Sequence, residues 1–303
     1  MAGRQRAALR VLVLRRHHRC LRTHRRRAVP THQQAVIHLL LTTVDDVLAT
    51  GDRLLGSTGG AGAASLVSAA DRAAADSRRA DLDRRRTLAG RLALRFLACA
   101  VQGRSWSDAA SVPVDRTCEH CSAPHGRPRI AGSSASTSTS GRLVLVAVGD
   151  DAARLGVDVE EYPETLWDGF DDYALHPAER AAMPTGRDGL VRRVQVWTDK
   201  EALLKSVGVG LRGEPSGLRV AAASAGVTTA APLLGWRPVA QSADPRLATA
   251  WTVTINAGRR AAASIAAAHP TPIRPWRMDR QGAEPVQPDV RRDTAASVPA
   301  ATA

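Results

Sequence analysis

Aromatic side chains make up only 3% of the 303 residues, which argues against a protein that stacks bases on an aromatic platform. No apolar run reaches the roughly 18 residues of a membrane span. Four cysteines in a chain of this length do not make a disulfide framework, so a reducing cytoplasm is the expected compartment. Acidic residues are absent from the first 44 positions, and residues 1–27 carry ten arginines. Without those ten, the formal charge of +13 falls to about +3 for the remaining chain. The basicity therefore belongs to a terminal segment. Residues 1–34 are expected to be a basic, disordered extension; an upstream start codon and a targeting or nucleic-acid-binding arm are the other readings.

What is present reads as alternating strand and helix material, long enough for one large domain or two smaller ones. Ala35 to Thr43 predicts a first strand, and residues 56–64, rich in Gly, Ala and Ser, a linker or loop. Ser68 to about Ala100 is helical, with Leu88, Leu92, Phe96 and Leu97 as its apolar stripe. A polar stretch with Pro and Gly runs to Gly141. Leu143 to Val148 and Leu155 to Val159 read as adjacent strands across a turn. His176 to Met183 and Leu190 to Val207 read as helices, the second closed by Gly208. Later strands are expected at 218–222, 251–256 and 261–268, and residues 271–303 as a disordered tail.

Two acidic motifs carry the chemistry. In Leu155-Gly-Val-Asp-Val-Glu160, Asp158 and Glu160 lie two apart, so on a strand both carboxylates project from one face. In Trp197-Thr-Asp-Lys-Glu-Ala-Leu-Leu-Lys205, Trp197, Glu201 and Lys205 recur every four residues and share a helix face. Two strand carboxylates and one helix carboxylate make an all-oxygen set suited to Mg²⁺ and a substrate phosphate. Lys200 and Lys205 are expected beside that ion, receiving further phosphate charge. Trp197 is read as a core anchor, and His176 as a helix-start residue.

Together the two motifs resemble the 4′-phosphopantetheinyl transferases, specifically the two-lobed kind similar to the surfactin-synthetase activator. That family carries an apolar-Gly-apolar-Asp-apolar-Glu strand and, some forty residues later, Trp-[Ser/Thr/Cys]-x-Lys-Glu-[Ala/Ser]-x-x-Lys. The resemblance covers roughly residues 35–270. It implies an α+β fold of two similar α/β lobes related by a pseudo-twofold, 35–150 and 151–270, with the active site between them, in a chain that works as a monomer. It implies transfer of 4′-phosphopantetheine from coenzyme A to a serine of an acyl or peptidyl carrier protein, with release of adenosine 3′,5′-bisphosphate. Asp158, Glu160 and Glu201 would hold Mg²⁺, and Glu201 would also be the candidate base. Lys200 and Lys205 would bind the phosphates. The two-lobed type implies secondary metabolism.

Further segments agree in order. Arg86 and Arg95 match a pair of arginines nine apart on the family's N-terminal helix, and nine residues is about two and a half turns, so the two cannot share a narrow face. His125-Gly-Arg127-Pro128 is similar to the family's Gly-Lys-Pro loop, with a forked cation in place of a point charge. Ser138-Thr139-Ser140-Gly141 departs from the family's Ser-His-Ser-Gly. Thr139 brings no charge where the histidine helps bind coenzyme A, which implies binding weaker by about 1–2 kcal/mol. Arg86, Arg95, Arg127, Ser138 and Thr139 are the implied cofactor contacts. Cys118-Glu-His-Cys121-Ser-Ala-Pro-His125 has zinc-ligand spacing but no second cysteine pair, and is read as a turn beside the cofactor loop, with bound zinc as the alternative. Two other classes remain open: a weakly active homologue that only binds carrier proteins, and a nucleic-acid binder using the basic extension.

Overall fold

The computed structural model describes residues 35–222, 235–278 and 283–285, and the extension expected over residues 1–34 lies outside them. In chain order the first strands are β1 (Ile37–Thr43), β2 (Arg129–Ile130), β3 (Ser133–Ser140), β4 (Leu143–Asp150) and β5 (Gly156–Glu161). They are followed by β6 (Arg219–Val220), β7 (Arg237–Gln241), β8 (Trp251–Ile255), β9 (Ala261–Ala267), β10 (Ile273–Met278) and β11 (Ala283–Pro285). One sheet runs β11-β10-β1-β4-β3-β2 and the other β5-β9-β8-β7-β6. The helices are α1 (Val44–Leu55), α2 (Ala61–Ser65), α3 (Ala69–Asp76), α4 (Asp81–Val101), α5 (Phe170–Ala174), α6 (Pro177–Arg180) and α7 (Gly186–Ser206). The architecture is α+β, and each sheet is covered by one 21-residue helix: α4 packs on β3 and β4, α7 on β5, β8 and β9.

Strand alternation sorts the apolar residues between two cores. Leu40, Val144, Val146 and Val148 pack with Leu92, Phe96 and Leu97 of α4. Their neighbours Ile37, Leu39, Leu145 and Ala147 point the other way, against Leu155, Val157, Val159 and Ile265 of the second sheet. The two sheets therefore share a core. Glycine at position 156 is what lets α7 approach β5: a Cβ there would collide with the carbonyl oxygen of Ala202 and stand 2.6 Å from the Ser206 nitrogen. The small side chains of β9, buried throughout, permit the same close approach.

The strand β3 falls in the stretch read from sequence as merely polar. Its sequence, SSASTSTS, has the period of a strand but almost no apolar residue. The alternation is one of hydrogen-bonding serines. Ser134 accepts from the Leu155 N–H at 2.8 Å, Ser136 from Val157 at 3.0 Å and Ser140 from Glu161 at 3.1 Å. This ladder stitches the first sheet to the edge strand of the second. It also corrects the expectation that β4 and β5 pair: β4 bonds to β1 and β3, and β5 to β9.

Three further expectations change. Residues 61–64 of the expected loop are helical, as the start of α2, and the long helix predicted from residue 68 is two, broken at residues 77–80. Residues 271–303 are not a tail from their start, because β10 pairs in parallel with β1 through Ile37↔Ile273 to Leu40↔Trp276. The first sheet thus takes strands from both sides of the second, and no single cut in the chain separates them. The residues beyond 285 lie outside the described part. Among the described residues, no helix is long and apolar enough to cross a membrane.

Candidate active site

Helix α7 presents a different environment to each residue of its Trp-Thr-Asp-Lys-Glu motif. Asp199 faces the second sheet, accepting from Ser264 Oγ at 2.7 Å and Arg237 Nη2 at 2.7 Å. Trp197 packs in an aromatic group with Trp167, Phe170 and Tyr173. The sequence reading of Trp197 as an anchor holds. Glu201 and Lys205 turn toward β5 and β3. The chain has only two lysines, both in this helix, against forty arginines, so its compact ammonium groups are confined to these two positions.

Lys200 is not part of the site, contrary to the sequence reading. Its side chain is fully buried, donating to the carbonyls of Ala174 at 2.7 Å and Pro215 at 2.9 Å, and pairing with Glu179 at 2.6 Å. Glu179 also caps α6 by accepting from the His176 N–H at 2.9 Å, and His176 opens that helix as expected. The physical reason is the helical period. Five residues from Lys200 to Lys205 advance about 500°, which puts the two ammonium groups roughly 140° apart around the axis. Lys200 locks α7 to α5 and α6, and Lys205 alone reaches the carboxylates.

Lys205 Nζ lies 2.5 Å from Asp158 Oδ1 and 3.1 Å from Ser138 Oγ, and Ser138 donates to the same carboxylate oxygen at 2.8 Å. Ser140 donates to Glu160 Oε2 at 2.7 Å. Burial, helped by the neighbouring Asp158, pushes the Glu160 carboxyl above its ordinary range. Burial also pushes Glu201 up to about 7, against the pull of Lys205 and with repulsion from Asp158 and Glu160 adding to the rise. Burial lowers Lys205, but Asp158, Glu201 and Glu160 together outweigh it and raise the ammonium's pKa. One ammonium thus serves three crowded carboxylates.

Asp158 Oδ2 and Glu201 Oε1 are buried and have no hydrogen-bond partner among the described residues. Buried carboxylate oxygens without a partner are costly, and a hard divalent cation is the group that all-oxygen donors suit. The donor set fits such an ion. Among the described residues, however, the group of three ligating side chains with all ligand atoms within 4.8 Å of one another is Cys118, Cys121 and His125, not the carboxylates. The acids stand looser than a closed metal cage.

Beside Lys205 opens a cleft of about 1050 Å³. Its walls carry six cationic side chains, Arg116, Arg127, Arg129, Arg154, Lys205 and Arg212, against the carboxylates of Asp115, Glu119 and Asp151. Arg129 is engaged by Asp115 and Glu119. Arg127 donates to the Ser206 carbonyl at 3.0 Å and Ser134 Oγ at 2.8 Å, fastening its loop to the end of α7. Arg116 was not singled out from sequence. Its Nε and Nη2 are buried without partners among the described residues, and burial beside Arg91 and Arg95 lowers its pKa to about 9. A guanidinium stays protonated at neutral pH, so what the group lacks is an anion. No local motif marks Arg116; only the folded cleft does.

The remaining expected cofactor residues are placed elsewhere. Arg95 is 1% exposed and held by Asp71 at 2.6 Å, so it serves the packing of α3 on α4 rather than an open phosphate site. Arg86 pairs with Asp83 at 2.6 Å and does not line the cleft. Thr139 points to the opposite face of β3 from Ser138, its methyl against Gly90 of α4, where a Cβ would stand 3.0 Å away. It too is outside the cleft lining, because adjacent strand residues face opposite ways. Cys118 lies within the cleft wall. Backbone N–H groups of His120 and Cys121 pull its thiol down to about 7.

The arrangement is a buried acidic set with one ammonium beside an arginine-lined cleft. Residues 154–256 match the family model of the 4′-phosphopantetheinyl transferase superfamily, about a third of the chain. This segment is similar to a transferase domain, and it holds Asp158, Glu160, Glu201 and Lys205 but not Arg116, Arg127 or Ser138. No curated protein matches the chain.

Proposed function

We propose that the protein is a 4′-phosphopantetheinyl transferase of the two-lobed type, acting as a monomer in the cytoplasm. It moves the phosphopantetheine arm of coenzyme A to a serine hydroxyl of an apo acyl or peptidyl carrier protein and releases adenosine 3′,5′-bisphosphate. The observation that carries this reading is the pair of buried oxygens, Asp158 Oδ2 and Glu201 Oε1, without hydrogen-bond partners among the described residues, while Asp158 Oδ1 holds Lys205, which lines an arginine-rich cleft. The superfamily match over the same residues supports it.

Asp158, Glu160 and Glu201 would hold Mg²⁺, which when bound supplies charge neutralisation at the pyrophosphate. Lys205 is oriented by Asp158 and Ser138, and its ammonium stabilises charge that grows on the phosphate oxygens. Arg116 and Arg127 hold the phosphates of coenzyme A within the cleft. The serine oxygen attacks the β-phosphorus, the bond to the adenosine bisphosphate breaks, and the serine proton passes to a nearby base. Glu201 is the candidate to take it, directly or through a water. Incubation of apo carrier domains with coenzyme A bearing a fluorophore on its thiol, plus Mg²⁺, tests the reading. Labelled carrier that disappears with EDTA is expected. A folded enzyme that labels none of a panel of carriers contradicts it.

A further inference from the structure

Fifteen residues, Asp115 to Arg129, form a loop on the cleft wall that has almost no core of its own. Among them only Cys118 and Pro128 are buried. Backbone bonds close the loop at its base, with Asp115 and Arg129 exchanging N–H···O bonds at 3.0 and 2.8 Å and Gly126 N–H donating to Arg116 at 2.7 Å. Among the described residues, no hydrophobic cluster includes its tip. Yet the tip is tightly shaped: Cys118 N–H donates to Ala123 at 2.9 Å, Ser122 N–H to Cys118 at 2.9 Å, and Ser122 takes φ 58°, rare for a residue with a side chain. That turn brings Cys121 and His125 back onto Cys118.

The three ligand atoms lie within 4.8 Å of one another, and Cys121 Sγ is 2.9 Å from His125 Nε2. Two thiolates and one imidazole at this spacing are a soft donor set, which selects zinc over the hard cations that suit carboxylates. Ligand atoms around a tetrahedral zinc stand about 3–4 Å apart, so small side-chain rotations close the site. We propose that Cys118, Cys121 and His125 bind a zinc ion that staples the loop carrying Arg127, with water in the fourth position. The acidic side chains nearby are otherwise engaged, Asp115 with Thr117 and Arg129 and Glu119 with Arg129. This centre is separate from the carboxylate site and does not depend on the transferase reading.

The protein purified under reducing conditions without chelator, and supplied with zinc, should contain one zinc per chain by elemental mass spectrometry. Cobalt substitution should give thiolate-to-cobalt charge-transfer absorption and the visible bands of a tetrahedral ion, a readout that needs no variant. Cys121→Ser and His125→Ala, both at exposed positions, should each lower zinc content at least tenfold while circular dichroism stays native. Wild-type protein that holds no zinc with both thiols free would overturn the proposal. So would a Cys118–Cys121 disulfide persisting in reductant, or full zinc content in both variants.

Discussion

Replacing Glu201 with glutamine isolates what the buried acidic site costs the fold. The Glu201 carboxyl rises from an ordinary 4.5 to about 7, with burial as the largest cause. The folded protein therefore binds this proton more tightly than the unfolded chain does. Stability from the group is intact below about pH 4.5 and is lost as pH rises through 7. A rise of about 2.5 units corresponds to about 3 kcal/mol at pH 8.5, but under 1 kcal/mol at pH 5. The neutral amide carries none of this dependence, whatever its fixed packing penalty. Urea unfolding in EDTA at pH 5, 7 and 8.5 should show Glu201→Gln gaining on wild type by about 2–3 kcal/mol across the series. Glu160, raised in the same direction, leaves some slope in the variant. At pH 8.5 the variant should also lose the stabilisation that Mg²⁺ gives wild type. A stability difference that is flat with pH would refute the burial argument, and retained Mg²⁺ stabilisation would refute the ligand assignment.

The two lysines separate by consequence. Lys200→Met strands Glu179 without its cation and should cost about 3–5 kcal/mol, lowering Tm by roughly 10 °C while leaving kcat per folded molecule within about tenfold. Lys205→Ala should instead lower kcat by about 10²–10³, and the reverse pattern in either variant would contradict the placement. Gly156→Ala pushes a methyl into the α7 backbone and should cost about 2 kcal/mol or more in urea unfolding; unchanged stability would mean the helix can withdraw freely. Arg116→Gln should raise the KM for coenzyme A about tenfold with kcat preserved, and an unchanged KM would remove Arg116 from the phosphate site.

Much of this protein is legible where apolar periodicity and function agree. Strands β1, β4, β8 and β9 and helix α7 announce themselves by alternation or helical stripes. The acidic site is legible because two-residue spacing on a strand and four-residue spacing on a helix are strict geometric statements. The strand β3 escapes because its pattern is one of serine hydroxyls meeting the backbone of β5, which no apolar periodicity reports. Lys200 misleads for the opposite reason. It sits beside Glu201 in sequence, yet the helix turns it into a buried pair with Glu179. Arg95 and Thr139 are displaced likewise, one into a buried pair with Asp71 and one onto the α4 face of its strand. The cleft and Arg116 exist only in three dimensions, assembled from loops that carry no periodic signal.

The central claim is tested most directly by intact-protein mass spectrometry of apo carrier domains incubated with the enzyme, coenzyme A and Mg²⁺, with adenosine 3′,5′-bisphosphate quantified in parallel. The account predicts one added phosphopantetheine per carrier serine, one nucleotide released per transfer, and neither with Asp158→Ala or EDTA. A folded, metal-supplied wild-type enzyme that adds no mass to any carrier, or an Asp158→Ala variant that transfers normally, would contradict it.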